Sequence, residues 1–173
     1  MNKRLDIIHE LAFKKPKLGK TAMVKYLFLL QQAYDVPLSY DFEIYTFGPY
    51  SSEVMEDINL AKCQDIVSID TVSYSNHVGY SITARDYSDK TFSAKYTNEI
   101  DELLKLFGDK TVKELELSTT IVYLYRNSKM NKWDCGEDAI AVDVHEIKPH
   151  FSIDAIREEY KKLEAAGILA KAA

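Results

Sequence analysis

Residues 41–64 read DFEIYTFGPYSSEVMEDINLAKCQ, and this stretch sets the organisation of the chain. An aromatic-rich extended segment is expected to stop at Gly48-Pro49, with a helix beginning after it. Gly48 permits backbone angles closed to other residues, while Pro49 fixes φ and has no N–H to donate. Ser51 or Ser52 stands where it can cap the first turn, and Glu53 where the helix dipole favours negative charge. Val54, Ile58 and Ala61 then form an apolar stripe with Met55 beside it, leaving Glu53, Glu56, Asp57, Asn59 and Lys62 for the other face. Such a hinge predicts a helical scaffold that presents one surface to a partner.

Upstream, Leu5, Ile8, Leu11 and Ala12 recur at helical spacing, giving a short first helix that ends by Pro16. Residues 1–6 lead into this amphipathic pattern, not into an apolar signal segment. From Lys20 to Tyr34, the residues Met23, Val24, Leu27, Phe28 and Leu30 leave little polar face, so this helix is expected at the centre of the fold. Lys14, Lys15, Lys17, Lys20 and Lys25 make the region locally basic, as a solvated rim or as a site for an anionic partner.

Downstream, alternating runs at residues 66–72 and 78–83, separated by a polar connection, predict a β-hairpin. Three helices followed by a hairpin describe a winged-helix-like arrangement. Residues 85–91 read as a connection, and Tyr96, Ile100, Leu103, Leu104 and Phe107 mark a fourth helix. Thr111 and Glu114 fit a capping box opening a fifth helix, in which Ser118 and Thr119 can return hydrogen bonds to backbone carbonyls. Residues 127–146 are expected to form a mobile loop, anchored by Trp133. A last helix spans Ile153 to Ala166, terminated by Gly167.

The chain has 173 residues, 46% of them hydrophobic, enough for one substantial core. A formal charge of -5 argues against generic nucleic-acid binding. Cys63 and Cys135 lie far apart, in no metal-type spacing, and read as reduced thiols. No apolar run is long enough to span a membrane, and a cytoplasmic location is expected.

Four segments resemble a known family. Gly19-Lys20-Thr21 leading into Met23-Val24-Lys25-Tyr26-Leu27 is similar to its second-helix pattern, and Tyr45-Thr46-Phe47-Gly48-Pro49-Tyr50-Ser51 to its Gly-Pro-Tyr-Ser hinge. Glu114-Leu115-Glu116-Leu117-Ser118-Thr119-Thr120-Ile121 and Lys148-Pro149-His150-Phe151-Ser152 resemble two later segments in the same order. Together they resemble the YwgA-like and Panacea-domain proteins, the latter including SocA-type antitoxins, over residues 17–165. That resemblance implies a single mostly helical domain across residues 1–173, acting as an antitoxin or as an adaptor that carries a bound toxin to a protease.

Signals for chemistry are weak by comparison. Asp143, His145, Glu146 and His150 cluster in sequence, and strand alternation would pair Asp143 with His145, but a surface loop is the simpler reading. His9 and His77 stand alone. Cys63 and Cys135 both have acidic neighbours, which oppose thiolate formation. Lys17-Leu18-Gly19-Lys20-Thr21 echoes the end of a P-loop without its first glycine. No catalytic residue, metal or cofactor is expected. For DNA binding, the third helix offers Glu53, Glu56 and Asp57 against Lys62, and the hairpin holds no lysine or arginine.

The aromatics favour protein recognition. Phe42, Tyr45, Phe47 and Tyr50 straddle the hinge, where alternation buries some and exposes others. Tyr45, Phe47 and Tyr50, with Glu53 and Glu56 as charged neighbours, form the expected partner-binding set, facing a basic protein surface. The tail ending in Ala172-Ala173 resembles those gripped by bacterial unfoldase-proteases, and helix fraying explains it equally well. The expected fold is mostly α with a small β-hairpin (α+β). A winged-helix-like half (1–84) packs on a helical half (92–167). Its expected role is that of an antitoxin-like or proteolytic-adaptor module, with a DNA-binding regulator as the alternative.

Overall fold

The computed structural model describes residues 2–173; Met1, which opens the amphipathic lead-in, lies outside them. Helix α1 (Lys3–Lys14) starts where the Asn2 side chain accepts the Arg4 N–H at 3.1 Å. Its buried face holds Leu5, Ile8, Leu11 and Ala12, as their spacing predicts, but Asp6 and His9 are buried too. The cause is the connection before the fourth helix, which wraps over α1. Asp6 Oδ2 accepts the main-chain N–H groups of Phe92 and Ser93 at 2.8 Å each, and His9 Nε2 lies 2.8 Å from the Arg85 carbonyl. Replacing Asp6 with alanine strands one buried and one half-buried donor and is expected to destabilise the fold by about 2 kcal/mol in urea unfolding. Faster amide exchange at Phe92 and Ser93 would accompany that loss, and unchanged exchange would show that water replaces the carboxylate.

Helix α2 (Lys20–Ala33) is the centre of the molecule: Met23, Val24, Tyr26, Leu27, Phe28, Leu29 and Leu30 are all buried. Lys25 is buried with them at 2% exposure, so it does not belong to the basic rim. Next comes a hairpin of two short strands, β1 (Glu43–Tyr45) and β2 (Gly48–Tyr50), paired antiparallel with Tyr45 opposite Gly48. Gly48-Pro49 therefore does not end an extended segment; it forms the returning strand, and Gly48 at φ +88° completes the turn. Strands of three residues are too short to show a period in sequence.

Helix α3 (Ser52–Cys63) begins after Ser51, whose extended backbone marks the start although its side chain makes no capping bond. Val54, Ile58 and Ala61 are buried as expected, but Asp57 leaves the polar face and accepts from the Tyr40 hydroxyl at 2.9 Å. Strands β3 (Val67–Ser73) and β4 (Val78–Ala84) form the predicted hairpin, with Ile69 opposite Ile82. Leu18 bridges the outer edge of β4 at Ile82, through bonds of 3.1 and 2.7 Å.

A 3-10 turn (Ser93–Tyr96) leads into α4 (Thr97–Phe107), and α5 (Val112–Asn131) follows. The capping box forms: Thr111 N–H donates to Glu114 at 2.7 Å, and Glu114 N–H to the Thr111 hydroxyl at 3.2 Å. Ser118 and Thr119 bond back to the carbonyls of Glu114 and Leu115, at 3.0 and 2.6 Å. The expected loop at 127–146 is overturned. Helix α5 runs through to Asn131, Lys132 closes it at φ +59°, and α6 (Glu137–Ile147) buries Ile140, Ala141 and Val144. Acidic residues on the outer face of α6 mask that stripe in the sequence. Trp133 is no anchor, being 63% exposed.

Helix α7 (Ile153–Ala165) is not the last. Gly167 at φ +75° reverses the chain into α8 (Ile168–Ala172), which buries Ile168, Leu169 and Ala172. Arg126 donates to the Ala172 carbonyl at 3.2 Å and Lys171 pairs with Glu102 at 2.9 Å, so residues 168–172 are docked and not frayed. One apolar core joins α1 and α2 to α5, α7 and α8. At 59% helix with two small antiparallel hairpins, the fold is mostly α with a minor β component.

Candidate functional site

Two buried lysines hold the β1–β2 hairpin by its main chain. Lys25 on α2 donates to the Pro49 carbonyl at 2.6 Å. From the other side Lys148, which caps the end of α6, donates to the carbonyls of Tyr45, at 2.9 Å, and of Thr46. Glu116 on α5 lies 3.2 Å from the Lys148 ammonium, and both side chains are 6% exposed. Gly48 passes so close to α5 that an added Cβ would meet the Thr120 hydroxyl at 3.0 Å. Both the positive φ and this approach require glycine here.

Held this way, the hairpin turns its side chains outward. Tyr45 and Phe47 are 63% and 59% exposed, Tyr50 is half-buried, and the Tyr45 and Tyr50 rings lie 5.6 Å apart. Together with Tyr80 of β4, Met55 of α3 and the first turns of α2 they wall an apolar cleft of about 340 Å³. A second hollow of about 640 Å³ continues past Tyr74, Val78 and Val112. Lys20, Thr21, Phe47 and Tyr80 line both, so the two are lobes of one groove.

The charges in the groove are cationic. Lys20 Nζ sits 4.3 Å from the Tyr80 ring centroid. Burial holds its ammonium below the usual lysine value, and the charge of Lys62 adds to that. Burial also pulls Lys25 down to about 8, with Glu116 opposing the shift and Lys148 adding to it.

Of the expected partner-binding set, Tyr45, Phe47 and Tyr50 share this groove and the two acids do not. Glu53 faces away, accepting the Asp41 N–H at 2.9 Å and pairing with Arg4 at 3.3 Å. The Asp41 bond first, and then Arg4, hold its carboxyl below the usual carboxylate range. Glu56 is exposed on α3 outside the groove lining. An acidic hinge facing a basic partner is therefore replaced by an aromatic groove with lysines. Tyr80 escapes the sequence reading, and Lys20 and Lys25 enter it only as part of a basic region, solvated rim or anionic-partner site, although one lysine inside the apolar run Met23 to Leu30 signals a buried cation that needs an acceptor.

The other candidates separate. Asp143 and His145 lie on helix α6, not on a strand; Asp143 is exposed, and His145 Nδ1 is 2.7 Å from the Phe151 carbonyl. His150 approaches Glu116 at 3.4 Å, and His77 stacks on Tyr74 at 4.7 Å. Cys63 is exposed and Cys135 half-buried. Among the described residues, no group of three or more His, Cys, Asp or Glu side chains could hold a metal ion, and no helix is long and apolar enough to cross a membrane.

Comparison with protein-family models, with curated proteins and with solved structures returned no significant match. The resemblance to the Panacea-domain proteins therefore stands as an expectation drawn from four sequence segments.

Proposed function

We propose that this chain is a protein-interaction module that captures a partner protein in the groove beside the β1–β2 hairpin. It would act in the manner of an antitoxin or a proteolytic adaptor. The observation that carries this reading is the set of Tyr45, Phe47 and Tyr80 side chains, each about half exposed or more, around an apolar cleft. Exposed aromatics clustered on a rigid support are the usual anchors of a protein interface. A cognate toxin or a component of a protease complex fits the resemblance described above. In this reading the chain binds and does not catalyse, and it works in the cytoplasm without a cofactor.

A winged-helix DNA-binding regulator is the second reading, favoured by the order of α1, α2 and α3 before the β3–β4 hairpin. The charges oppose it. Lys14 is engaged by Asp101 at 2.8 Å, Lys25 is buried, and α3 exposes Glu56. Phosphate contacts need free lysines or arginines on the inserted elements.

Affinity capture of the tagged chain from its native cell separates the two. The double variant Tyr45→Ala, Phe47→Ala keeps the core intact and is expected to weaken a stoichiometric protein partner by about 30-fold. Retention of that partner at wild-type affinity would exclude the groove. Recovery of a defined DNA fragment, with a salt-sensitive gel shift, would favour the regulator.

A further inference from the structure

The groove runs along the outer edge of β4, which among the described residues is bridged at Ile82 and lacks a strand partner toward Val78. Ile82 turns its N–H and carbonyl to Leu18, away from β3. In an antiparallel pair these groups alternate along a strand, so Tyr80 and Val78 turn theirs to the same outer side. The Tyr74 N–H donates to the His77 carbonyl at 2.8 Å, which fixes the same alternation at the turn. A chain continuing in register from Leu18 would cover this edge. Instead it leaves at Gly19 to begin α2, and among the described residues nothing replaces it. Gly19 passes beside the first open position of that edge: a Cβ there would sit 3.7 Å from the Tyr80 carbonyl oxygen, an ordinary contact.

The larger lobe of the groove opens along this edge, lined by Lys20, Phe47, Val78 and Tyr80. No Asp or Glu lines either lobe among the described residues, while Lys20 and Lys25 do. Lys20 is half-buried and forms no ion pair among the described residues. A desolvated ammonium beside apolar walls is matched by a carboxylate flanked by apolar side chains.

We propose that the outer edge of β4 at Val78 and Tyr80 accepts an extended segment of the partner protein by strand addition. The segment carries an Asp or Glu that meets Lys20 and apolar side chains that fill the aromatic cleft. Main-chain bonds to Val78 and Tyr80 supply affinity, and the alternating side chains supply specificity. The proposal rests on the partner-binding reading above and specifies the partner's contact segment.

A randomised ten-residue peptide library displayed on phage and panned against the full chain tests it. Enriched sequences are expected to hold one acid among apolar residues at alternate positions. Lys20→Glu should weaken a synthetic winner by at least about tenfold, and exchanging the peptide's acid for lysine should restore binding to the variant. N-methylation of a peptide amide that faces the edge should weaken binding by about tenfold or more, whereas methylation one residue along should not. Amide exchange at Val78 and Tyr80 should slow about tenfold in the complex. Failure to enrich any peptide, basic or helical winners, or binding that leaves Val78 and Tyr80 exchange unchanged would each overturn the proposal. If a captured native partner still depends on Tyr45 and Phe47 while those two amides stay unprotected, strand addition fails and the partner-binding reading survives. A native partner indifferent to Tyr45 and Phe47 removes both.

Discussion

Replacing Lys148 with alanine is expected to destabilise the protein by about 3–5 kcal/mol, the range for removing one partner of a buried ion pair. Lys148 is 5% exposed, and its ammonium lies 3.2 Å from the Glu116 carboxylate while also bonding the carbonyls of Tyr45 and Thr46. Truncation leaves Glu116 buried without its ion-pair partner, with the half-exposed His150 at 3.4 Å and the charge of Lys25 as its remaining cationic neighbours, and releases two hairpin carbonyls. The double variant Lys148→Met, Glu116→Leu is expected to lose less than Lys148→Ala alone, because it removes both charges. Urea unfolding measures both. Equal losses in the two variants would mean that the hairpin bonds, and not the stranded carboxylate, carry the energy.

Lys25 gives the second large effect, seen through pH. Its ordinary value of 10.5 is lowered to about 8 in the fold, chiefly by burial. Below pH 8 both folded and unfolded chains hold the proton, and the burial penalty is fully present and constant. Between pH 8 and 10.5 the unfolded chain still binds a proton that the folded chain has released, so stability rises with pH. The rise amounts to about 3 kcal/mol. Tyr26 and Tyr160, both raised to about 12 by burial, act in the opposite sense above pH 10, where the fold retains protons that the unfolded chain has lost. Comparing the wild type with Lys25→Met cancels the tyrosines. The stability difference is expected to be flat from pH 6 to 8 and to shift toward the wild type from pH 8 to 10. A difference that stays flat throughout would place the Lys25 ammonium at its ordinary value.

Features written in local spacing were legible in the sequence. The Val54, Ile58, Ala61 stripe, the capping box at Thr111 and Glu114, the back-bonded Ser118 and Thr119, the β3–β4 hairpin and the central position of α2 all depend on residues within a few positions of each other. Features set by distant partners were not. Glu53 is turned by Arg4, 49 positions away, and Lys148 reaches Tyr45 across 103 positions. Helix α6 was hidden because its four acids, Glu137, Asp138, Asp143 and Glu146, outnumber the three residues of its buried stripe, Ile140, Ala141 and Val144. In the groove, Tyr45, Phe47 and Tyr50 were legible as aromatics straddling the hinge, while Tyr80 and Lys20 join them only through the fold.

Lys25 and Lys148 both grip the β1–β2 hairpin by carbonyl oxygens, which every amino acid supplies. Apart from Gly48, the anchoring makes no demand on the identity of the residues it holds. Positions 45 to 47 can therefore diverge between descendants, or be rewritten by design, while the clamp beneath them stays intact. On the partner-binding proposal, the hairpin would be an interchangeable reading head on a fixed mount, where new preferences could arise without the scaffold having to change.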